Sequence, residues 1–184
     1  MNKVQEKFFV FMKSSFGEGE KKELYEFIWK NYGKKISYYI STVIPYRHFY
    51  FDDLFQEVML KIYSNLHTFN PFHSFKAWIY QIARRQCLDF IKSKDEKRSA
   101  LRDGDPDRIP ADTDPEETAI RDEMFERIDR FLQSLEPLDR EISYLRFYEN
   151  LSYKGIGAVV NLKVNSVRSK IHQIKSKMKK QFLF

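Results

Sequence analysis

The stretch LSYKGIGAVVNLKVNSVRSKIHQIK, residues 151–175, decides the fold of the C-terminal part of the chain. Ser152 is a suitable cap for a short helix from Tyr153 to Val160, because its side-chain oxygen can accept a hydrogen bond from the first turn. Asn161 follows, and Asn tolerates the left-handed backbone of a turn better than most residues. A longer helix is expected from Val164 to Lys180. The pattern predicts a helix-turn-helix.

The two predicted helices each have an apolar and a polar face. The small Gly157 stands where two helices must approach closely. The inward positions are Ile156, Val159, Val160, Val164, Val167, Ile171 and Ile174. The outward positions of the second helix are Asn165, Ser166, Arg168, Ser169, His172 and Lys175. Short polar and long basic side chains suit base edges and phosphates in a DNA major groove. A plain helical hairpin with a solvated basic face is the alternative.

The chain upstream also has the spacing of amphipathic helices. Apolar residues recur at three- and four-residue intervals from about Glu20 to Ser93. Pro45 ends one run, and Asp52 is a suitable N-cap for the next helix. The Asn70-Pro71 pair ends that helix. Ser74 can cap a further one, in which Trp78 shares an apolar stripe with Phe75 and Ile82 and is expected in the core.

A proline-bearing acidic segment separates the two helical blocks. It contains Pro106, Pro110 and Pro115 and little that is apolar, which is typical of a linker. We therefore predict an all-α protein of two small helical domains joined by a flexible acidic linker, the C-terminal domain being the helix-turn-helix. The predicted segments are an N-terminal extension over 1–19, a first domain over 20–93, the linker over 94–117 and a second domain over 118–184.

Composition narrows the class of function. The net charge of +6 favours a polyanionic partner, and acidic residues are absent after Asn161. The single cysteine, Cys87, excludes an internal disulfide, and the four histidines have no metal-ligand spacing. No phosphate loop or catalytic triad signature is present. We expect no catalytic residue, cofactor or metal, no membrane insertion, and a cytoplasmic protein.

Four short stretches near the C-terminus carry a specific resemblance. They are LEPLDREI from Leu135, LRF from Leu145, LSYKGI from Leu151 and NSVRSKIH from Asn165. Together they resemble the C-terminal domain of extracytoplasmic-function (ECF) sigma factors of the sigma-70 family. The resemblance implies that this domain recognises the −35 promoter element through the outward positions given above. The turn departs from the usual Leu-Gly-Ile-Ser, because Lys163 stands in place of a capping Ser.

Two N-terminal stretches resemble the same family. DLFQEVMLKI from Asp53 resembles the helix that docks on the polymerase clamp, which implies contacts by Asp53, Gln56 and Glu57. A solvated helix face is the alternative for these three. FKAWIYQIAR from Phe75 resembles the −10-reading helix. The contacts expected with −10 DNA, including the loop before it, are Asn70, Phe72, His73, Lys76, Tyr80, Arg84 and Arg85. Arg85 replaces the Asn usual in the family.

Two motif sets in the family's order indicate a sigma factor that binds core RNA polymerase and directs promoter-specific transcription initiation. The implied partners are core RNA polymerase, through its clamp and flap regions, and promoter DNA; an anti-sigma factor holds many members inactive. The linker either competes with nascent RNA for a basic tunnel or is a solvated tether. The alternative functions are a stand-alone helix-turn-helix regulator, which would bind duplex DNA strongly by itself, and an enzyme, for which no motif was found.

Overall fold

The computed structural model describes residues 17–44, 50–100 and 123–182. Residues 1–16 of the predicted N-terminal extension, Pro45 and most of the predicted linker lie outside these ranges, whereas Glu18 and Gly19 of the extension already belong to the first helix. The described residues form two compact units, of which one contains residues 17–40 and 50–100 and the other contains residues 123–182. No strand occurs in these ranges. The predicted all-α class is confirmed.

The first unit is built from three long helices. They are α1 over Glu18–Val43, of which the residues up to Ile40 belong to this unit, α2 over Phe51–Ser64 and α3 over Phe75–Ala100, with a 3₁₀ turn over Leu66–Thr68. The side chains at the predicted three- and four-residue intervals meet in a core. Its fully buried members include Leu24, Ile28, Ile36, Tyr39, Ile40, Val58, Ile62, Ile79, Tyr80, Ala83 and Cys87. The apolar stripes that the sequence predicts therefore form the core of the first unit.

The helix starts differ in how they are capped. Ser74 caps α3 as predicted, because its Oγ accepts a hydrogen bond from the Ala77 N–H at 3.3 Å. The prediction that Asp52 caps α2 is wrong. The helix begins at Phe51, so Asp52 is its second residue, and Tyr50, which occupies the cap position, makes no side-chain cap bond. Asp52 and Asp53 lie instead in the first turn, where the positive end of the helix dipole stabilises their carboxylates.

Helix α3 continues beyond Ser93, where the sequence analysis ends the first domain. It runs to Ala100. The added segment, KDEKRSA, is polar but contains good helix formers and neither Gly nor Pro. Loss of apolar periodicity therefore marks the end of the core-facing stripe and not the end of the helix.

The second unit consists of four helices and a wide turn. These are α4 over Glu123–Ser134, α5 over Pro137–Ser143, a π-helical turn over Tyr144–Tyr148, α6 over Tyr153–Val160 and α7 over Val164–Phe182. Pro137 lies in the first turn of α5, as predicted. The unit's buried apolar side chains include Phe131, Leu135, Ile142, Leu145, Leu151, Ile156, Val159, Val160, Val167, Ile171 and Ile174. The π-helical turn was not predicted.

One predicted core position in the second unit is wrong. Val164 is 39% exposed. It is the first residue of α7 and lies a turn before Val167, which is fully buried, so it projects beyond the core. None of the helices in the described ranges is both long and apolar enough to cross a membrane.

Candidate nucleic-acid interface

Short-range contacts fix the start of the helix-turn-helix. The Ser152 Oγ accepts a hydrogen bond from the Gly155 N–H at 3.1 Å, which confirms the predicted cap of α6. Before the cap, Asn150 has a φ of 55°, a left-handed conformation. Arg146 donates to the Leu151 carbonyl at 2.9 Å, and its guanidinium lies 5.1 Å from the centre of the Tyr153 ring. These contacts tie the approach to α6 to the helix itself.

The turn between α6 and α7 depends on Asn161 and Gly157. Asn161 adopts φ 56° and ψ 47°, the predicted left-handed conformation. The Leu162 N–H then donates to the Gly157 carbonyl at 2.9 Å. A Cβ on Gly157 would lie 2.6 Å from the Leu162 carbonyl oxygen. The backbone of the turn is therefore the main reason that residue 157 must be glycine. The predicted close approach of the second helix matters less, because the Val167 side chain would lie 3.7 Å from the added Cβ, an ordinary contact distance.

Helix α7 presents one continuous polar face. All six predicted outward positions are exposed: Asn165, Ser166, Arg168, Ser169, His172 and Lys175. Val167, Ile171 and Ile174 are buried on the other side of the helix. At the far end, Phe182 packs on Phe131 of α4 with ring centres 5.8 Å apart. We call the six exposed residues the α7 face; it has the polar and basic composition that a major-groove contact requires.

Helix α2 presents a second exposed surface. Asp53, Gln56 and Glu57 are exposed, as predicted, whereas Leu54, Val58 and Met59 are buried on the opposite side. Leu60, which is 62% exposed, extends the same surface by one helical turn. Sequence reasoning missed Leu60, although its spacing of three residues from Glu57 places it on that face. We call these four residues the α2 ridge.

The loop between the 3₁₀ turn and α3 combines a buried anchor with an exposed tip. Phe69 is buried against Phe75 and Trp78, with ring centres 5.2 and 5.4 Å apart. The Asn70 Oδ1 accepts a hydrogen bond from the Phe72 N–H at 3.0 Å, so this side chain shapes the loop. Phe72 is 80% exposed, and His73 is exposed beside it. The structure thus brings the predicted loop residues together at one surface.

One predicted DNA contact on α3 belongs to the core. Tyr80 is fully buried, and its ring packs on Tyr39 with centres 4.9 Å apart. Because α3 packs on α1 through this side, Tyr80 faces the interior, and its prediction as a −10 contact is wrong. The other predicted positions on α3 are accessible: Lys76 and Arg84 are half-buried and Arg85 is exposed.

A groove runs beside the loop, between the end of α2 and the exposed side of α3. Its volume is about 520 Å³. It is lined by Lys61, Asn65, Thr68, Trp78, Gln81, Ile82, Arg85, Gln86 and Asp89. Trp78 is half-buried and was predicted to be core; its ring packs on Phe75 but also forms part of the groove wall. The groove joins an aromatic ring to amide, carboxylate and cationic groups, and among the predicted contacts only Arg85 lies in it.

Comparisons with known proteins agree on one family. The chain matches the model of sigma-70 region 2 over residues 28–97 and that of sigma-70 region 4 over residues 125–178. It is 31% identical over 123 residues to ECF RNA polymerase sigma factor SigE of Mycolicibacterium smegmatis, covering 66% of this chain and 48% of that protein. It is 27% identical over 140 residues to ECF RNA polymerase sigma factor SigW of Bacillus subtilis, covering 71% of this chain and 74% of that protein.

A solved structure shows the same fold. The sigma factor RpoE of Bartonella quintana, solved in complex with the anti-sigma factor NepR, is similar with a TM-score of 0.67 and 13% identity, over 85% of this chain and 94% of that one. The chain spans about half the length of SigE of Mycolicibacterium smegmatis. The two region matches fall on the two described units in the family's order. The chain therefore belongs to the sigma-70 family, as an RNA polymerase sigma factor of the ECF type.

Proposed function

We propose that this sigma factor binds core RNA polymerase, brings it to promoters and holds the melted strand, while the polymerase performs the chemistry. The observation that carries the proposal is the pairing of regions 2 and 4 in one chain, each with its own exposed polar surface. On this proposal the chain has no active site of its own and works in the cytoplasm, where polymerase and promoter DNA are found.

The α7 face would read the −35 element. Asn165, Ser166 and Ser169 carry short hydrogen-bonding groups suited to base edges, and Arg168 and Lys175 carry cations suited to phosphates. The rigid turn supports this assignment, because Asn161 and Gly157 leave α7 little freedom relative to α6. A helix held in this way presents the same face to every site that it tests.

The loop tip and the groove would hold bases that have left the stack. Phe72 and the Trp78 ring offer aromatic surfaces, and stacking on such rings is favourable for any base. Gln81, Gln86 and Asp89 can exchange hydrogen bonds with a base edge. Lys61 and Arg85 at the same groove suit the phosphates on either side. A groove of about 520 Å³ has room for one nucleotide.

The α2 ridge would contact the polymerase clamp. Asp53 and Glu57 are acidic in a chain of net charge +6, and DNA would repel them. Leu60 adds an exposed apolar group at the end of the ridge. An acidic surface beside an apolar one suits a protein partner with basic residues. Regulation by an anti-sigma factor is a further part of the proposal, supported by the bound NepR of the RpoE structure.

Run-off transcription tests the proposal. Bacterial core polymerase is supplied with a library of promoter fragments, with and without the protein. Specific transcripts that appear only with the protein are expected, and their start sites define the promoter elements. Strong binding of the protein alone to duplex DNA, with no transcripts from a matched and active core polymerase, would instead favour the stand-alone regulator.

A further inference from the structure

One cation of α7 is turned away from the α7 face. The Lys170 Nζ lies 2.6 Å from the Asp139 Oδ1, in an ion pair between α7 and α5. The Asp139 side chain is only 6% exposed, and that of Lys170 is 32% exposed. The contact therefore lies at the border of the core, where the charge of Asp139 is poorly hydrated.

The position of Lys170 on α7 makes this pairing consequential. It follows the exposed Arg168 and Ser169 and precedes the buried Ile171, so it lies at the edge between the two faces. A lysine has a long flexible stem that can carry its ammonium group from such an edge to a DNA phosphate. The short distance to Asp139 holds the stem in the opposite direction, toward α5.

We propose that Asp139 is a positioning residue for promoter binding: its ion pair with Lys170 withholds that ammonium group from the DNA backbone and fixes the rotation of α7. The inference rests on the proposed function of the second unit. Withholding a cation weakens binding to all DNA sequences, because phosphate contacts carry no sequence information. A fixed rotation keeps the α7 face in register with base edges. The withheld cation lowers the affinity for all sequences alike, whereas the fixed rotation raises the ratio of specific to non-specific affinity.

The test compares four variants in complex with core polymerase. They are Asp139→Asn, Lys170→Met, the double variant Asp139→Asn/Lys170→Met, and the control Asp129→Asn, which removes the same charge from an exposed position on α4. Each complex is titrated at several salt concentrations with two labelled duplexes. One carries the −35 element found by run-off transcription, and the other carries that element scrambled.

Release of Lys170 should be visible in the salt dependence. For Asp139→Asn we expect the plot of log affinity against log salt to steepen by about one on the scrambled duplex, because each phosphate contact contributes about 0.9 to the slope. The corresponding gain in non-specific affinity is roughly five- to tenfold at about 0.1 M salt. The gain should be similar on the −35 duplex, and the preference for that duplex should fall because α7 is no longer held in register with the base edges. Lys170→Met and Asp129→Asn should keep the wild-type slope, and the double variant should return to it.

Two results would overturn the inference. A slope for Lys170→Met that is shallower by about one would show that Lys170 already contacts phosphate in the wild-type complex. An unchanged slope and preference for Asp139→Asn would show that the pair has no role in binding. The double variant keeps the test valid if a single variant is unstable, because it leaves no unpaired buried charge. Failure of the proposed function looks different: the wild-type complex itself would not distinguish the two duplexes.

Discussion

The two units present their contact surfaces in different ways. In the second unit all residues of the contact surface lie on a single helix, α7. The Ser152 cap, the left-handed Asn161 and the close backbone approach at Gly157 fix the position of this helix. In the first unit the surface is composite, because the loop and the groove rest on an aromatic cluster of Phe69, Phe75 and Trp78. Substitution of exposed side chains of α7 should therefore change DNA binding without changing the stability of the unit. Substitution in the aromatic cluster under the loop should change both.

The largest expected effect separates two aromatic residues of the first unit. Tyr80→Ala should lower the free energy of unfolding of this unit by about 3–5 kcal/mol, since a fully buried aromatic side chain is lost. Phe72→Ala should change it by less than about 0.5 kcal/mol, because Phe72 is 80% exposed. Urea unfolding followed by tryptophan fluorescence measures this, as both tryptophans, Trp29 and Trp78, belong to the first unit. Equal effects would mean that Tyr80 is not core.

A glycine in each unit sharpens the comparison. Gly157→Ala should destabilise the second unit by about 3 kcal/mol, the upper end for overpacking, because the new Cβ meets a backbone oxygen that cannot move aside. Gly33→Ala in α1 is the control. Its Cβ would have no neighbour within 4 Å, so the better helix propensity of Ala should stabilise the first unit by about 0.5–1 kcal/mol.

Two spectroscopic probes of unfolding distinguish the two glycine variants. Gly157→Ala should lower the unfolding midpoint seen by far-ultraviolet circular dichroism and leave that seen by tryptophan fluorescence unchanged. Gly33→Ala should raise the fluorescence midpoint. A Gly157→Ala protein with wild-type unfolding by both probes would contradict the geometry of the turn.

Loss of cations from the α7 face should weaken promoter binding next most strongly. Arg168→Ala/Lys175→Ala should lower the affinity of the polymerase complex for a −35 duplex roughly 30- to 60-fold at about 0.1 M salt, with a salt slope shallower by nearly two. Lys22→Ala/Lys30→Ala, at exposed positions of the first unit, is the matched control and should leave this affinity unchanged. Unchanged promoter occupancy for the α7 variant would remove both residues from the interface.

Charge reversal on the α2 ridge should have a smaller effect, and it should weaken binding to core polymerase instead of binding to DNA. Asp53→Lys/Glu57→Lys should weaken binding to core polymerase about tenfold, with the loss mainly in the association rate, as expected for exposed charges. Glu23→Lys/Glu26→Lys changes the net charge equally at exposed positions of α1 and should bind normally. Binding kinetics with immobilised core polymerase give both values. If the two double variants behave alike, the ridge is not the docking surface.

The second unit could be predicted from its sequence in more detail than the first. Ser152, Asn161 and Gly157 act over a few residues, so their pattern specifies the turn and both helix starts around it. The side of α7 that faces outward follows from the same periodicity. Val164 was misplaced because periodicity alone does not tell where the opposing core ends.

The first unit shows what periodicity leaves open. Tyr80 carries a polar group and lies among cationic residues, and only its packing on Tyr39 reveals that it faces α1. The groove joins Asn65 and Gln86, which are distant in sequence, so no local pattern could have indicated it. The ion pair of Asp139 with Lys170 is likewise a tertiary contact between α5 and α7. Surfaces made by one helix are predictable from sequence, whereas composite ones require the fold.

The most direct test of the division of labour is footprinting of the polymerase complex on one identified promoter, with permanganate added to detect unpaired thymines. Wild-type protein should protect the −35 element and expose reactive thymines near −10. Arg168→Ala/Lys175→Ala should lose the upstream protection first, and Phe72→Ala should keep it while losing permanganate reactivity. Loss of the upstream protection in Phe72→Ala, or loss of both signals together in either variant at saturating polymerase, would contradict separate roles for the two units.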